Sequence, residues 1–183
     1  LFRSHSRTDF DLSSHQELSG KKIQYYDSEL EESYVPYVVE TSIGVDRMFL
    51  SLISHALQED EVPNAAGKTS IRTVMKIPAF LAPVKVAILP LVNKTPLTDK
   101  ASEIFNQLKF VTQCQFDVKD SIGRRYRRQD AIGTPFCVTV DFETLEDNCV
   151  TLRDRDTLEQ VRLPIDTLKQ TINNRLSIDD WFM

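Results

Sequence analysis

The sequence predicts an α/β protein in which a domain with a mixed sheet follows the C-terminal piece of an antiparallel one. Three observations lead there. Strand and helix patterns alternate from Val84 onward, which is the signature of strands covered by helices. The turn Glu146-Asp147-Asn148 joins two neighbouring strand patterns as an antiparallel hairpin, so that sheet is mixed. Before it, Val35–Leu57 (VPYVVETSIGVDRMFLSLISHAL) reads as a strand, a small-residue turn and a helix.

Residues 1–34 hold no apolar pattern able to close a core alone. Arg7–Leu12 reads as strand end or loop, Gly20–Tyr26 as an edge strand and Asp27–Ser33 as an acidic turn. Tyr34–Val39 is rich in β-branched and aromatic residues, which suit a pleated backbone. Gly44 permits a tight turn at unusual φ. Val45, Met48, Phe49, Leu52, Ile53, Ala56 and Leu57 then fall at helical spacing, a stripe that seats the helix on a core. Gln58–Gly67, with Pro63, Asn64 and Gly67, reads as loop, and Ser70–Ile77 as a short strand. Pro78–Pro83 is a stiff connector, which puts the domain boundary between residues 78 and 79.

In the second domain, residues 79–183, Val84–Val92 is a near-continuous apolar run, as in a strand buried on both faces. Pro96–Lys109 is a helix that Thr98 can cap, with Ala101, Ile104, Phe105 and Leu108 inward. Cys114–Val118 is a second strand, and Ser121–Ala131 a helix closed by Gly133. Phe136–Phe142 alternates as a strand with one face in the core. Val150–Leu152 and Val161–Leu163 add two more strands. A last helix follows Pro164, with Ile165, Leu168, Ile172 and Leu176 at helical spacing.

The composition, 41% hydrophobic and 27% charged over 183 residues, is that of an ordinary globular protein with no membrane span. Cys114, Cys137 and Cys149 are odd in number and lack CxxC spacing, which fits reduced thiols in a cytoplasmic protein. His5, His15 and His55 are too scattered to suggest a metal site. The net charge of −5 averages two unlike parts: residues 1–67 carry 5 Lys/Arg against 12 Asp/Glu, and residues 68–176 carry 17 against 13. A basic module joined to an acidic one is the simplest account.

Four junction residues invite chemistry: Glu40, Ser42, Asp46 and Arg47. A carboxylate in an apolar strand needs a cation or donors. Arg47 sits in a first helical turn, where the dipole disfavours a cation by a few tenths of a kcal/mol up to about 1. It either pairs with a nearby acid such as Asp46 or faces an anion. In GRRYRR, Arg124, Arg125, Arg127 and Arg128 surround Tyr126 and either meet RNA phosphates or form a solvated face paired with Asp120 and Asp130. In Arg153–Asp156 (RDRD), Arg153 and Arg155 share one strand face. They either read unpaired bases or build a salt-bridge ladder with Asp141 or Glu143.

ETSIGVDR followed by an apolar helix resembles the third signature motif of class II aminoacyl-tRNA synthetases, in the form of the dimeric bacterial-type glycyl enzymes. That family usually reads E-P-S-x-G-V-D-R, so Thr41 stands at the proline position. The resemblance continues through RTDFDL (Arg7–Leu12), His15, Ser19–Lys21, APVKVAILPL (Ala82–Leu91), GRRYRRQDAIGTP (Gly123–Pro135) and RDRDTLEQ (Arg153–Gln160).

The resemblance implies an anticodon-binding domain over residues 79–183 and the end of a class II catalytic domain over 1–78. Glycine would lie against Glu40, Thr41, Ser42, Ile43 and Gly44, and ATP, a substrate, against Gly44, Val45, Asp46 and Arg47. Glycine tRNA would meet Arg124, Arg127, Arg153 and Arg155. The complete enzyme would be a homodimer using Mg²⁺, and this chain alone would not form the adenylate. The rival is a non-enzymatic RNA-binding accessory protein built from the same folds.

Overall fold

The structure, a computed structural model, describes residues 2–63 and 69–178. The chain divides into two compact units, Leu1–Ser51 and Leu52–Met183. The expected domain boundary at 78/79 therefore does not coincide with the division into units. The expected loop residues Asn64 and Gly67 lie outside the described residues.

In the first unit, β1 (Phe2–Thr8) pairs antiparallel with β4 (Val38–Ile43). Between them lie α1 (Phe10–Ser19) and a small hairpin of β2 (Tyr25–Asp27) and β3 (Glu32–Tyr34). Helix α1 has no counterpart in the sequence reading, and its reason is local. It buries no residue, so it leaves no apolar period. Arg7 instead donates two hydrogen bonds of 2.6 Å to the Asp11 carboxylate, and Gly20 ends the helix at φ +65°. Helix α2 (Val45–Ala56) follows β4 directly. Its stripe is only half used: Ala56 and Leu52 pack with Ile77, Ala82 and Met75, whereas Val45, Met48 and Phe49 are exposed.

The second unit opens with a hairpin where a loop was expected. Strand β5 (Leu57–Pro63) pairs with β6 (Thr69–Met75), placing Asp60 directly opposite Arg72. Cross-strand charge pairing, which local propensity does not reveal, makes this acidic segment a strand. Asp60 also accepts from Lys76 at 2.9 Å.

Five strands form the main sheet in the order β11-β10-β9-β7-β8. Strand β7 (Val86–Pro90) lies parallel to β8 (Cys114–Phe116) and to β9 (Phe136–Val140). Strand β10 (Cys149–Asp154) runs antiparallel to both β9 and β11 (Gln160–Pro164). Helix α3 (Thr95–Leu108) and helix α6 (Ile165–Leu176) share one core cluster with Val86, Ile88, Val138, Val140 and Leu152. Helix α4 (Ile122–Ile132) covers the alternate residues Ala87, Leu89 and Cys137 with Ile122 and Tyr126. Strand β9 is consequently buried along its whole length, not on one face as its alternation suggested. Its inward polar residue is satisfied, since Thr139 Oγ1 lies 2.5 Å from the Tyr126 hydroxyl. A single helical turn, α5 (Thr144–Asp147), makes the β9–β10 connection.

Two further differences are local. Thr98 does not cap α3: Lys94 holds that position, and the Thr98 hydroxyl donates back to the Lys94 and Thr95 carbonyls. Gly133 closes α4 at φ +87°, where an added Cβ would lie 2.8 Å from Ile77 Cγ2 and 3.1 Å from the Met75 carbonyl oxygen. Gly133→Ala is therefore expected to destabilise the second unit by about 2 kcal/mol or more, combining left-handed strain with a backbone clash. Gly123→Ala, which meets nothing within 4 Å, should change stability by less than about 1 kcal/mol in either direction. Urea denaturation of the two variants checks the contrast.

Candidate functional site

Antiparallel pairing builds the candidate site of the first unit. Glu40 lies opposite His5 and Ser42 opposite Arg3, so these four share one face of the β1–β4 ribbon. Thr41 lies on the other face, its hydroxyl 3.4 Å from Ser4. The Glu40 carboxylate finds a cation from the neighbouring strand, Arg7, at 3.7 Å. Arg7 is held mainly by Asp11, so Glu40 keeps an open side and is half exposed.

Beyond Ser42 a cavity of about 430 Å³ is lined by Phe2, Arg3, Ser42, Ile43, Gly44 and Arg47. Gly44 does not adopt a left-handed φ, and a Cβ there would only touch the Arg47 side chain at 3.6 Å. Its contribution is space at the start of α2, not an unusual turn. Asp46 stands in the first helical turn, where an acid suits the dipole, and Val45 is exposed. Among the described residues neither Arg3 nor Arg47 has a carboxylate partner. Asp46 is therefore not the partner of Arg47. Two guanidiniums beside a helix N-terminus form an anion-attracting corner, and Glu40 about 7 Å along the strand attracts a cation. The sequence reading missed Arg3, because only the strand register brings it opposite Ser42.

The basic groups of the second unit separate by burial. Arg153, expected to read bases, is 7% exposed and makes a bidentate pair with Asp130 at 2.8 and 3.0 Å. Its guanidinium also lies 4.7 Å from the centre of the Tyr126 ring. Burial alone would lower its pKa, but the Asp130 carboxylate more than compensates and raises it. Arg155, the other expected base reader, is 2% exposed and donates to the Gly133 and Ile77 carbonyls and to Asp156. Both are structural, and neither can meet a base without surrendering buried partners. The ladder alternative also differs in its members, because Arg162 is the residue that pairs with Asp141, Glu143 and Asp147.

Within GRRYRR, Arg125 is fully buried and donates to the carbonyls of Pro90, Asp117 and Leu91 at 2.6, 3.0 and 3.1 Å. Burial pushes its pKa down. Arg128 pairs with Asp117 and Asp120. Arg127 donates to the Ser70 hydroxyl. Arg124 is 78% exposed and only grazes Asp120 at 3.8 Å.

The loops after β7, β8 and β9 gather at the carboxyl ends of the parallel strands, with α3 and α4 on opposite faces. Open α/β sheets bind ligands outside such strand ends. Exposed there are Lys94, Lys119, Arg124 and half of Phe142, with the Lys94 ammonium 6.0 Å from the Phe142 ring centre. No carboxylate pairs with Lys94 or Lys119 among the described residues. Cys137 and Cys114 offer no nucleophile, because burial pushes their thiols up to about 12 and about 11.

Comparison with known proteins places these features. Residues 85–175 match the family model described as an anticodon binding domain. The chain is 49% identical over 172 residues to the glycine--tRNA ligase of Thermobifida fusca, covering 94% of this chain and 37% of that protein. It is 50% identical over 171 residues to the corresponding ligase of Streptomyces coelicolor and over 170 residues to that of Clostridium perfringens. The chain spans a little over a third of the length of these relatives. The solved RNA binding domain of threonyl-tRNA synthetase from Cryptosporidium parvum shares the fold, with a TM-score of 0.63 at 21% identity over 84% of this chain and 35% of that one.

Asp130 is the residue whose loss these contacts make most costly. Asp130→Asn leaves Arg153 and Arg72 buried without their shared charge and is expected to destabilise the second unit by roughly 3–5 kcal/mol. Adding Arg153→Met should restore part of that loss, which a double-mutant cycle in urea measures directly.

Proposed function

We infer that this chain, related to the glycine--tRNA ligases over more than nine tenths of its length, is the C-terminal part of such an enzyme. It supplies the third signature motif of a class II synthetase and the domain that recognises the anticodon. The reaction has two steps. Glycine and ATP give glycyl-adenylate and pyrophosphate, and the glycyl group then passes to the terminal ribose of the tRNA.

The arrangement that carries this reading is the shared face of Glu40, Ser42 and Arg3 leading to Arg47 at the start of α2. Glu40 receives the glycine ammonium on its open side. Ser42 and Gly44, with Thr41 and Ile43 setting the strand, shape a pocket too small for a side chain. Arg47, joined by Arg3, holds the ATP phosphate oxygens, and the exposed amides of Val45 and Asp46 add dipolar support. No covalent nucleophile is needed; orientation and preorganised charge lower the barrier. Among the described residues no three His, Cys, Asp or Glu side chains converge as a metal site, so Mg²⁺ is assigned no ligand from this chain.

For the tRNA, the carboxyl-end loops of β7, β8 and β9 form the contact face. Arg124, Lys94 and Lys119 meet phosphates and Phe142 offers a ring on which an unstacked base can lie. A binding factor without catalysis would need the second unit alone. The Glu40–Ser42–Arg47 set favours the enzyme, and a homodimer in the cytoplasm is the setting the family resemblance implies.

Two measurements test the reading. In a full-length ligase containing this chain, Arg47→Ala should lower glycine-dependent ATP–pyrophosphate exchange by about 10²–10³-fold while leaving thermal stability unchanged. Exchange at the wild-type rate would return Arg47 to a surface role. Arg124→Gln should weaken a glycine tRNA anticodon stem-loop and reduce the slope of log affinity against log salt by about 1, equally for cognate and cytosine-to-uracil loops. An unchanged slope would move the RNA face elsewhere.

A further inference from the structure

We propose that the pocket between β6, α4 and β10 is a binding site for a single phosphate group, with Arg127 as its principal ligand. The pocket encloses about 250 Å³, and its walls include Arg72, Arg127, Arg153, Asp130, Tyr126 and Gln160. It lies wholly within the second unit and does not depend on the adenylation motif.

Charge pairing around the pocket leaves one cation over. Asp130 accepts from Arg153 at 2.8 and 3.0 Å and from Arg72 at 3.4 Å, so both its oxygens are engaged. Arg72 is further tied to Asp60 and to the Arg155 carbonyl, the latter at 2.7 Å. Arg127 has only the Ser70 hydroxyl, at 3.0 Å. Its Nη1 is buried and has no hydrogen-bond partner among the described residues, and the Nε of Arg72, a side chain 2% exposed, is likewise unpartnered. A buried donor left unmade costs about 1–3 kcal/mol, more when it is charged. Sequences do not keep two such donors on one pocket wall without an acceptor to meet them.

The acceptor must be anionic, because the group has a surplus guanidinium. It must also be compact and present several oxygens, because the free donors come from different side chains. A phosphate meets both conditions, and the planar fork of Arg127 can take two of its oxygens. Arg128, one residue on, already has Asp117 and Asp120, and Arg124 faces solvent; Arg127 alone in this run is both turned inward and uncompensated.

The phosphate has two possible sources, the backbone of a bound RNA or a free phosphate, and only the first rests on the tRNA-binding reading. The 183-residue chain is titrated with sodium phosphate against sodium chloride of matched ionic strength, following ¹H–¹⁵N signals of the Arg127 guanidinium, Gly123 and the Gln160 side-chain amide. Saturable shifts in phosphate, absent in chloride and abolished in Arg127→Gln, are expected. Should that variant not fold, Arg127→Lys keeps the charge without the fork and should bind several-fold more weakly. Addition of a glycine tRNA transcript then separates the sources: displacement of phosphate from these signals supports the RNA backbone, and coexistence supports a free phosphate. If neither phosphate nor tRNA moves these signals beyond the chloride control, or the shifts persist in Arg127→Gln, the site is overturned. The phosphate arm stands even where the tRNA reading fails.

Discussion

The second unit depends on one buried carboxylate. Asp130 is fully enclosed on α4 and takes Arg153 from β10 and Arg72 from β6, so one side chain fixes a helix, the sheet and the hairpin together. An isolated carboxylate at that depth would be far too costly, and so would either guanidinium. Each element can occupy its place only while the others do. The remaining buried polar groups extend the same arrangement. Arg72 donates to the Arg155 carbonyl, Arg155 donates to the carbonyls of Gly133 and Ile77, and Gly133 leaves the room that Ile77 and Met75 require.

This is why the charge excess of residues 68–176 overstates the RNA surface. Sequence alone counts a guanidinium the same whether it faces a phosphate or a carbonyl. Arg125, Arg153 and Arg155 carry the basic signal but are consumed inside the fold, where partners distant in sequence neutralise or cradle them. Asp130 lies 23 positions from Arg153, and Pro90 lies 35 from Arg125. Spacing rules see neighbours at i+2 or i+4, so these pairings were invisible. The same limit hid the β5–β6 hairpin, whose Asp60–Arg72 pair is set by register, and helix α1, which buries nothing.

What the sequence did reveal was written in apolar periodicity. The run Val84–Val92 became the parallel central strand, and the Ala101, Ile104 and Leu108 spacing became the inner face of α3. Ile165, Leu168 and Ile172 became that of α6. The strand–turn–helix junction around Glu40–Arg47 was also legible, with its polar residues in the expected order. Its depth was not. The register with β1 adds Arg3 and Arg7, and these change the chemistry from a lone carboxylate and a lone cation into opposed ends of one face. Gly44 was read for its φ, whereas its use is the absence of a side chain beside Arg47.

The arginines of GRRYRR show how a run of like charges is divided by geometry. A helix turns its residues to different surroundings at each step, so four consecutive-looking cations meet four different sets of acceptors. Arg125 meets the carbonyls at the ends of β7 and β8. Arg128 meets two aspartates, whose own pKa values lie below the usual carboxylate range. Arg124 meets water, and Arg127 meets a hydroxyl with one nitrogen and no partner with another. A binding surface is defined by the donors that remain after internal acceptors have been matched, not by the density of positive charge. By that measure the second unit offers an exposed set at the strand ends and a single inward donor in the α4 pocket. These differ in what they can recognise: the exposed set tolerates any polyanion and reports it through salt dependence, whereas the enclosed donor accepts only a group small enough to enter.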